Sequence, residues 1–299
     1  MNDRVDIAMQ LLTGIGGTSE PDRGAALLTA AAEEGDSGAA AMMATIEAIG
    51  AGRPQSWDKA FAWLRRAADL GSTSARAQLA LLERGTGAID LPALITPPPK
   101  RSLCDAPRIR AIDGFATPAE CDWLMNRARG DLGPAMVLDI RSGRATTHPD
   151  RTNKSFEFYL AEMDVVVQIL RARIAAATNL PVPVFESAQV MQYSVGEEFR
   201  PHYDFLTGEG PGWAAEMQRL GQRIATFLLF LNDDFEGGET EFPKIGISHR
   251  GRRGDALFWA NVDPAGEADP QTMHAGLPPT RGEKWILSQW IRDRTPAPE

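Results

Sequence analysis

Residues 189–204 read QVMQYSVGEEFRPHYD, and the rest of the chain is arranged around them. The stretch reads as a strand, a turn at Gly196, and a second short extended run ending in His202-Tyr203-Asp204. In extended backbone, residues i and i+2 point to the same face. The His202 imidazole and the Asp204 carboxylate are therefore expected side by side. A metal site built on this pair needs a third ligand from far along the chain.

With 299 residues the chain can form one large domain or two of ordinary size. A hydrophobic fraction of 43% with 24% charged residues is the composition of a globular protein. No run approaches the roughly 18 apolar residues of a membrane span. The first residues, MNDRVDIAMQLL, place an acid in the first turn and hold no long apolar core, so no secretory signal is expected. Cys104 and Cys121 lack metal or redox spacing, and two reduced thiols in a cytoplasmic protein are expected. The net charge of -9 argues against a broad nucleic-acid footprint, although Arg250, Arg252 and Arg253 form a local basic patch. Neither nucleic acid nor membrane is expected as a partner.

Residues 1–85 are Ala-rich, helical in pattern and internally repeated at an offset of 36. Asp22 aligns with Asp58, Leu28 with Leu64, Ala31-Ala32 with Ala67-Ala68, Gly35 with Gly71, and Ala39 with Ala75. Each unit reads as an amphipathic helix ended by a Gly cap, then a second helix of small residues. Such a period points to a helical solenoid. The run from Ala60 to Gly71 resembles Sel1-like repeats of the tetratricopeptide class. The repeats are either a prop for the next domain or a docking surface for a polypeptide. Residues 86–104, with Pro97-Pro98-Pro99, read as a semi-rigid linker.

From 105 to 299 the pattern turns to short strands with a few helices. Thr117-Pro118-Ala119-Glu120 is a capping box opening a helix, and 162–177 carries apolar residues at helical spacing. Strands are expected at 107–112, 136–140, 185–193, 199–203, 224–232, 239–242, 245–249, 256–259, 272–275 and 285–291. The polar segment 142–153 reads as a loop, and the Pro/Gly-rich segment 207–221 as a flexible lid. The expected fold class is α+β: a sandwich or jelly roll with supporting helices, preceded by a small all-α repeat domain.

Of the four histidines, His148 and His249 sit in basic, polar surroundings and read as solvated surface residues. His274 opens an expected strand. His202, Asp204 and His274 make a two-His, one-carboxylate set. That set leaves open positions on an octahedral ion and suits Fe(II) oxygen chemistry; zinc is chemically compatible with the same donors. Lys284 stands in an otherwise apolar strand. It either snorkels outward or pairs with a buried carboxylate. The turn chemistry of Asn232-Asp233-Asp234 and of Asp255 needs no contact with a metal.

The ordered motifs His202-Tyr203-Asp204, residues 231–242 (LNDDFEGGETEF), residues 254–259 (GDALFW), His274-Ala275-Gly276, residues 282–285 (GEKW) and Trp290 resemble the prolyl 4-hydroxylase branch of the Fe(II)/2-oxoglutarate dioxygenases. The resemblance covers about 105 to 293. It implies a double-stranded β-helix with His202, Asp204 and His274 as iron ligands and Lys284 on the distal carboxylate of 2-oxoglutarate. Tyr193 and Thr240 are implied in the cosubstrate pocket, and Glu186, Arg151 and Trp290 on the substrate side. Fe(II), 2-oxoglutarate and O2 are the implied cofactors, with L-ascorbic acid a further ligand the family can take. The implied reaction gives succinate and carbon dioxide and hydroxylates a prolyl residue of a peptide or protein through a ferryl oxidant. An apolar wall of Phe227, Leu229, Phe258 and Trp259 is expected to exclude water. Asn153 and Phe199 stand where the family usually has Ser and Tyr. The competing readings are the same chemistry on a free amino acid or other small molecule, and a non-catalytic binding module.

Overall fold

The 36-residue offset of the N-terminal sequence reappears in the backbone as paired helices. In the computed structural model, which describes residues 3–138, 145–207 and 211–295, these are α1 (Asp3–Thr13), α2 (Pro21–Glu33), α3 (Ser37–Ile49), α4 (Trp57–Asp69), α5 (Thr73–Glu83) and the short α6 (Leu91–Ile95). The equivalent glycines Gly35 and Gly71 both take φ +101°, which L side chains rarely adopt. Each closes its helix in the same way. Gly35 N–H donates to the Ala32 carbonyl and Asp36 N–H to that of Ala31; Gly71 and Ser72 repeat this on Ala68 and Ala67. Asp36 and Ser72 then accept backbone N–H groups to start α3 and α5. Ala32, Ala39, Ala44, Ala60 and Ala67 are fully buried, and their small side chains let paired helices pack closely.

The chain divides into two compact units. The first runs to Thr96 and also takes Tyr159–Arg173; the second comprises Pro97–Phe158 and the chain from Ile174 onward. The division at Thr96/Pro97 falls inside the segment read as a linker, 86–104, which also holds a short helix and a strand. Asp90 caps α6 through Ala93 N–H at 3.1 Å, and Pro92 sits in the first turn, where no amide hydrogen is missed. Residues 101–104 form a strand. Residues 86–90 and 96–100 lie outside helix and strand.

In the second unit the chain order begins with β1 (Arg101–Cys104), β2 (Ile109–Ile112), α7 (Pro118–Ala128), β3 (Gly133–Pro134), β4 (Val137–Leu138), β5 (Ala145–Thr146) and β6 (Lys154–Glu157). The capping box on α7 forms as expected, with Thr117 and Glu120 satisfying each other's backbone N–H. The strand expected at 136–140 is present as β4; Met136 precedes it and 139–140 lie outside the described residues. It pairs with β5 inside the segment read as a loop. After α8 (Val165–Thr178), which begins in the first unit and ends in the second, come β7 (Gln189–Tyr193), β8 (Phe199–His202), α9 (Pro211–Leu220) and β9 (Arg223–Phe230). Then follow β10 (Glu236–Gly237), β11 (Thr240–Phe242), β12 (Ile247–His249), β13 (Ala256–Ala260), β14 (His274–Gly276), β15 (Pro279–Arg281) and β16 (Lys284–Arg292).

An eight-stranded antiparallel sheet runs β1-β2-β13-β9-β16-β7-β6-β3, and a four-stranded one β12-β11-β14-β8. The central strands β9 and β16 are buried almost end to end, as their apolar runs require. Phe242 of the smaller sheet joins Met191, Leu228, Phe230, Leu257, Trp259 and Ile286 of the larger in one apolar cluster. Its ring meets Trp259 edge-on at 5.3 Å. The flexible lid expected at 207–221 is corrected, because its described part from 211 onward is helix α9. Pro211 opens that helix and Gly221, at φ +75°, closes it.

Candidate active site

Strand register assembles the site. His202 of β8 pairs directly with His274 of β14, which brings together residues 72 positions apart in the sequence. Asp204 follows just beyond β8. One ligand atom from each of His202, Asp204 and His274 lies within 4.8 Å of the others. His202 Nε2 is 3.6 Å from Asp204 Oδ1 and His274 Nε2 is 3.4 Å from Asp204 Oδ2. Both ring Nδ1 atoms face backbone carbonyls, of Arg200 at 2.8 Å and of Thr272 at 2.9 Å. A carbonyl only accepts, so each Nδ1 carries the hydrogen and each Nε2 keeps its lone pair for the cluster.

The electrostatics suit a cation. Burial, then the neighbouring His274, pushes the His202 imidazole down to about 3, so it is neutral at pH 7. Burial alone would raise the Asp204 carboxyl. The opposing pull of His274 and His202 and the Thr226 hydrogen bond hold it below the usual carboxylate range. Thr226 donates to Asp204 Oδ2 at 2.6 Å and in turn accepts from Asn261 Nδ2 at 3.0 Å. The three-residue set could hold a divalent metal, with two imidazoles, an ionised carboxylate and a fixed outer hydrogen-bond chain.

Thr226 and Asn261 were not singled out from the sequence. Their signal was there: each is a polar residue within or beside an apolar strand, and both are almost fully buried. Thr226 also corrects the expected apolar wall. Because its side chain faces Asp204, Leu228 shares its face. Leu228 and Trp259 line the inner cavity. Phe227 and Leu229 lie on the other face of β9; Phe227 packs 4.8 Å from Phe115 instead. Phe258 alternates with Trp259 in the same way.

Two spaces meet at the triad. The inner cavity is lined by Tyr193, Thr240, Trp259 and the alternate β16 residues Lys284, Ile286, Ser288 and Trp290. Lys284 is 1% exposed and pairs across strands with Tyr193, whose ring lies 5.2 Å from Nζ. Among the described residues no carboxylate comes within ion-pair reach of it. Burial pushes its ammonium down to about 8, with Glu239 pulling the other way. A side chain at Gly238 would sit 2.8 Å from the Phe235 ring and 3.3 Å from Lys284 Cδ, so glycine keeps room for both. The buried Thr240 hydroxyl has no hydrogen-bond partner. Burial raises the Tyr193 phenol to about 12, and its hydroxyl has only the Met191 sulfur at 3.6 Å.

The outer cleft shares Phe199, His202, Asp204 and Trp290 with the cavity, and is also lined by Arg151, Glu186, Glu216, Arg223 and Arg292. Arg151, Glu186 and Trp290 are thus all brought to this side. Arg223 grips Glu186 with two hydrogen bonds of 2.6 and 2.8 Å, and its guanidinium lies 4.0 Å over the Trp290 ring. Arg292 also donates to Glu186 and bonds Glu216 of α9 at 2.8 Å. Glu186 is therefore already engaged twice. Arg151 is held by Gln189, by the Met136 carbonyl and, at 3.4 Å, by Asn153. The departure to Asn153 thus supplies an acceptor for Arg151. At the other departure, the Phe199 ring stacks on His202 at 3.4 Å and 12°. His148 is half exposed beside Asp150, whereas His249 is partly buried edge-on to Phe230, correcting its expected solvation. The turn reading of Asp255 holds, since it accepts from Gly114 and Arg252 N–H.

Residues 188–292 match the 2OG-Fe(II) oxygenase superfamily. The chain is 34% identical over 201 residues to prolyl 4-hydroxylase subunit alpha-1 of Rattus norvegicus, covering 67% of this chain and 37% of that protein. It is 32% identical over 228 residues to prolyl 4-hydroxylase 13 of Arabidopsis thaliana, covering 70% of this chain and 80% of that protein. A solved viral collagen prolyl hydroxylase from Paramecium Bursaria Chlorella virus-1, in its 2OG complex, is 29% identical with a TM-score of 0.47, covering 64% of this chain and 98% of that one. The chain spans little more than a third of the rat subunit but most of the Arabidopsis enzyme. With the His-Asp-His set placed where the matched region folds, the chain belongs to the prolyl 4-hydroxylase family of 2OG-Fe(II) oxygenases.

Proposed function

We propose that this protein uses Fe(II), 2-oxoglutarate and O2 to hydroxylate a prolyl residue in a peptide or protein. The observation that carries the reading is the junction itself. A three-residue set stands between a small inner cavity lined by Lys284 and a larger outer cleft lined by Arg151, Glu186 and Trp290. His202, Asp204 and His274 would hold the iron, leaving positions free for other ligands. Lys284 would bind the far carboxylate of 2-oxoglutarate, with the Thr240 hydroxyl and the Tyr193 phenol in the same cavity. Leu228, Trp259 and Ile286 keep that cavity apolar, which strengthens the pairing with Lys284. The chemistry that the bound iron and 2-oxoglutarate supply is insertion of one oxygen atom into a C–H bond, with succinate and carbon dioxide as coproducts. On the cleft side, Trp290 and Arg151 would position the prolyl ring, while Glu186 holds Arg223 in place.

A neutral imino-acid ring suits a cleft whose arginines are largely paired already. We read the two sheets as the jelly roll of the family, and the helical pairs as Sel1-like repeats on their shared offset and matched caps. Two free cysteines support a cytoplasmic setting. The test is mass spectrometry of proline-containing peptides and of free proline, each incubated with the protein, Fe(II) and 2-oxoglutarate. A one-oxygen gain on peptidyl proline is expected. Oxygen gained only by free proline would overturn the peptide assignment.

A further inference from the structure

The helical unit contains a segment that does not belong to its own stretch of sequence. Residues Tyr159–Arg173 leave the oxygenase chain after Phe158 and rejoin it at Ile174. Within the helical unit this segment is gripped by backbone-directed hydrogen bonds. The Val165 N–H, at the start of α8, donates to Gln78 Oε1 of α5 at 3.1 Å. Thr45 Oγ1 of α3 is shared between the Ala41 carbonyl of its own helix at 3.3 Å and the Met163 carbonyl at 3.5 Å. In the reverse direction, Arg173 Nε donates to the Leu94 carbonyl in the last turn of α6 at 2.6 Å. Helix ends leave such N–H and C=O groups without intrahelical partners, so the contacts to Val165 N–H and the Leu94 carbonyl satisfy otherwise orphaned groups. Asp164 supplies one more cap, accepting Val167 N–H at 2.9 Å.

Burial supports the same conclusion. Residues 43–48 of α3 are all buried, including the polar Thr45 and Glu47. Six consecutive buried residues exceed one 3.6-residue turn, so the C-terminal half of α3 is covered in every direction. Residues 163–171 are likewise all buried. Gln78 is 4% exposed on a helix that would otherwise have no use for a buried amide.

We propose that the N-terminal helical unit is an intramolecular clamp, its recognition face filled by the chain's own segment Tyr159–Arg173. The repeats hold this chain in cis and do not offer that face to a substrate polypeptide. Because the grips go to backbone groups, they fix the segment's conformation and the start of α8.

Amide hydrogen exchange on the full-length chain tests this. Gln78→Leu and Arg173→Met should each raise exchange across residues 163–171 by about tenfold or more, the scale of losing one buried hydrogen bond. Exchange in α7 should stay at the wild-type rate, and Arg173→Lys, which keeps a donor, should stay close to wild type. Unchanged exchange across 163–171 in either folded variant, or an equal rise in α7, overturns the proposal. Should Gln78→Leu fail to fold, the Arg173→Met and Arg173→Lys pair decides it alone.

Discussion

The inner cavity and the outer cleft meet at His202 and Asp204 but treat charge differently. Among the described residues, the buried Lys284 of the cavity has no carboxylate in ion-pair reach and the Thr240 hydroxyl has no hydrogen-bond partner. In the cleft Arg223 and Arg292 close on Glu186, Arg292 closes on Glu216, and Arg200 on Asp150 and Glu198. A buried cation without a counter-ion is costly. The cavity therefore reads as incomplete until a carboxylate enters. Most arginines of the cleft are paired with carboxylates, while the buried Arg151 is held by the Gln189 side chain and the Met136 carbonyl, so they act on their neighbours more than on a charged ligand. The difference separates an acidic cosubstrate from a neutral substrate residue.

The strongest way to break this picture is at the shared boundary. Asp204→Ala removes the only carboxylate of the three-ligand set. Iron content after reconstitution and conversion of 2-oxoglutarate to succinate should both fall to background, and wild-type turnover would remove the metal assignment. Next in size is the cavity. Lys284→Met keeps the volume but leaves an incoming carboxylate without its partner, a loss of about 3–5 kcal/mol. On that scale the 2-oxoglutarate Michaelis constant should rise by a factor of roughly 10² to several times 10³. The pH dependence sharpens the point. Lys284 is cationic below about 8 and neutral above it, so wild-type affinity for 2-oxoglutarate should weaken as pH rises through that value. The step should vanish in Lys284→Met, as titration calorimetry at several pH values would show.

The smallest effect is expected in the cleft. Glu186→Gln leaves two guanidiniums facing an amide and should cost about 2 kcal/mol of stability, the scale of a charged hydrogen bond. Burial would raise the Glu186 carboxyl, but Arg223 and Arg292 together hold it below its ordinary value. Its stabilisation is therefore present above the unfolded carboxyl pKa of about 4.3. It is lost as pH falls through the folded value. Thermal melts at pH 7 and under acid conditions should show the variant lower at pH 7, with a shallower acid slope. Equal melting temperatures at pH 7 would mean the ion cluster contributes nothing to the cleft wall.

Local signals were read from the sequence wherever the physics is local. The capping box at Thr117, the Gly caps 36 residues apart and the two-residue spacing of His202 and Asp204 all depend on neighbours along the chain. The order of motifs through His274 and Lys284 carried the family resemblance. What depends on register was misread or missed. Phe227 and Leu229 were placed on the wrong face of β9 because an all-apolar strand gives no alternation to read. Thr226 was passed over for the same reason, although its hydroxyl fixes Asp204. The lid at 207–221 and the linker at 86–104 were assigned from Pro and Gly content, yet Pro92 and Pro211 stand in the first turns of helices and Gly221 follows the end of one, where they are tolerated.

By itself, then, the sequence determined the periodic helices, the strand-forming runs and the identity of the ligand residues, since propensity, capping and side-chain chemistry act over a few neighbouring positions. Only the tertiary structure decided three further things. It set His202 opposite His274. It left Lys284 without a counter-ion while pairing Glu186 with two arginines. And it returned Tyr159–Arg173 to helices far earlier in the chain. Each of these depends on long-range burial and strand register, which no local stretch of the chain encodes.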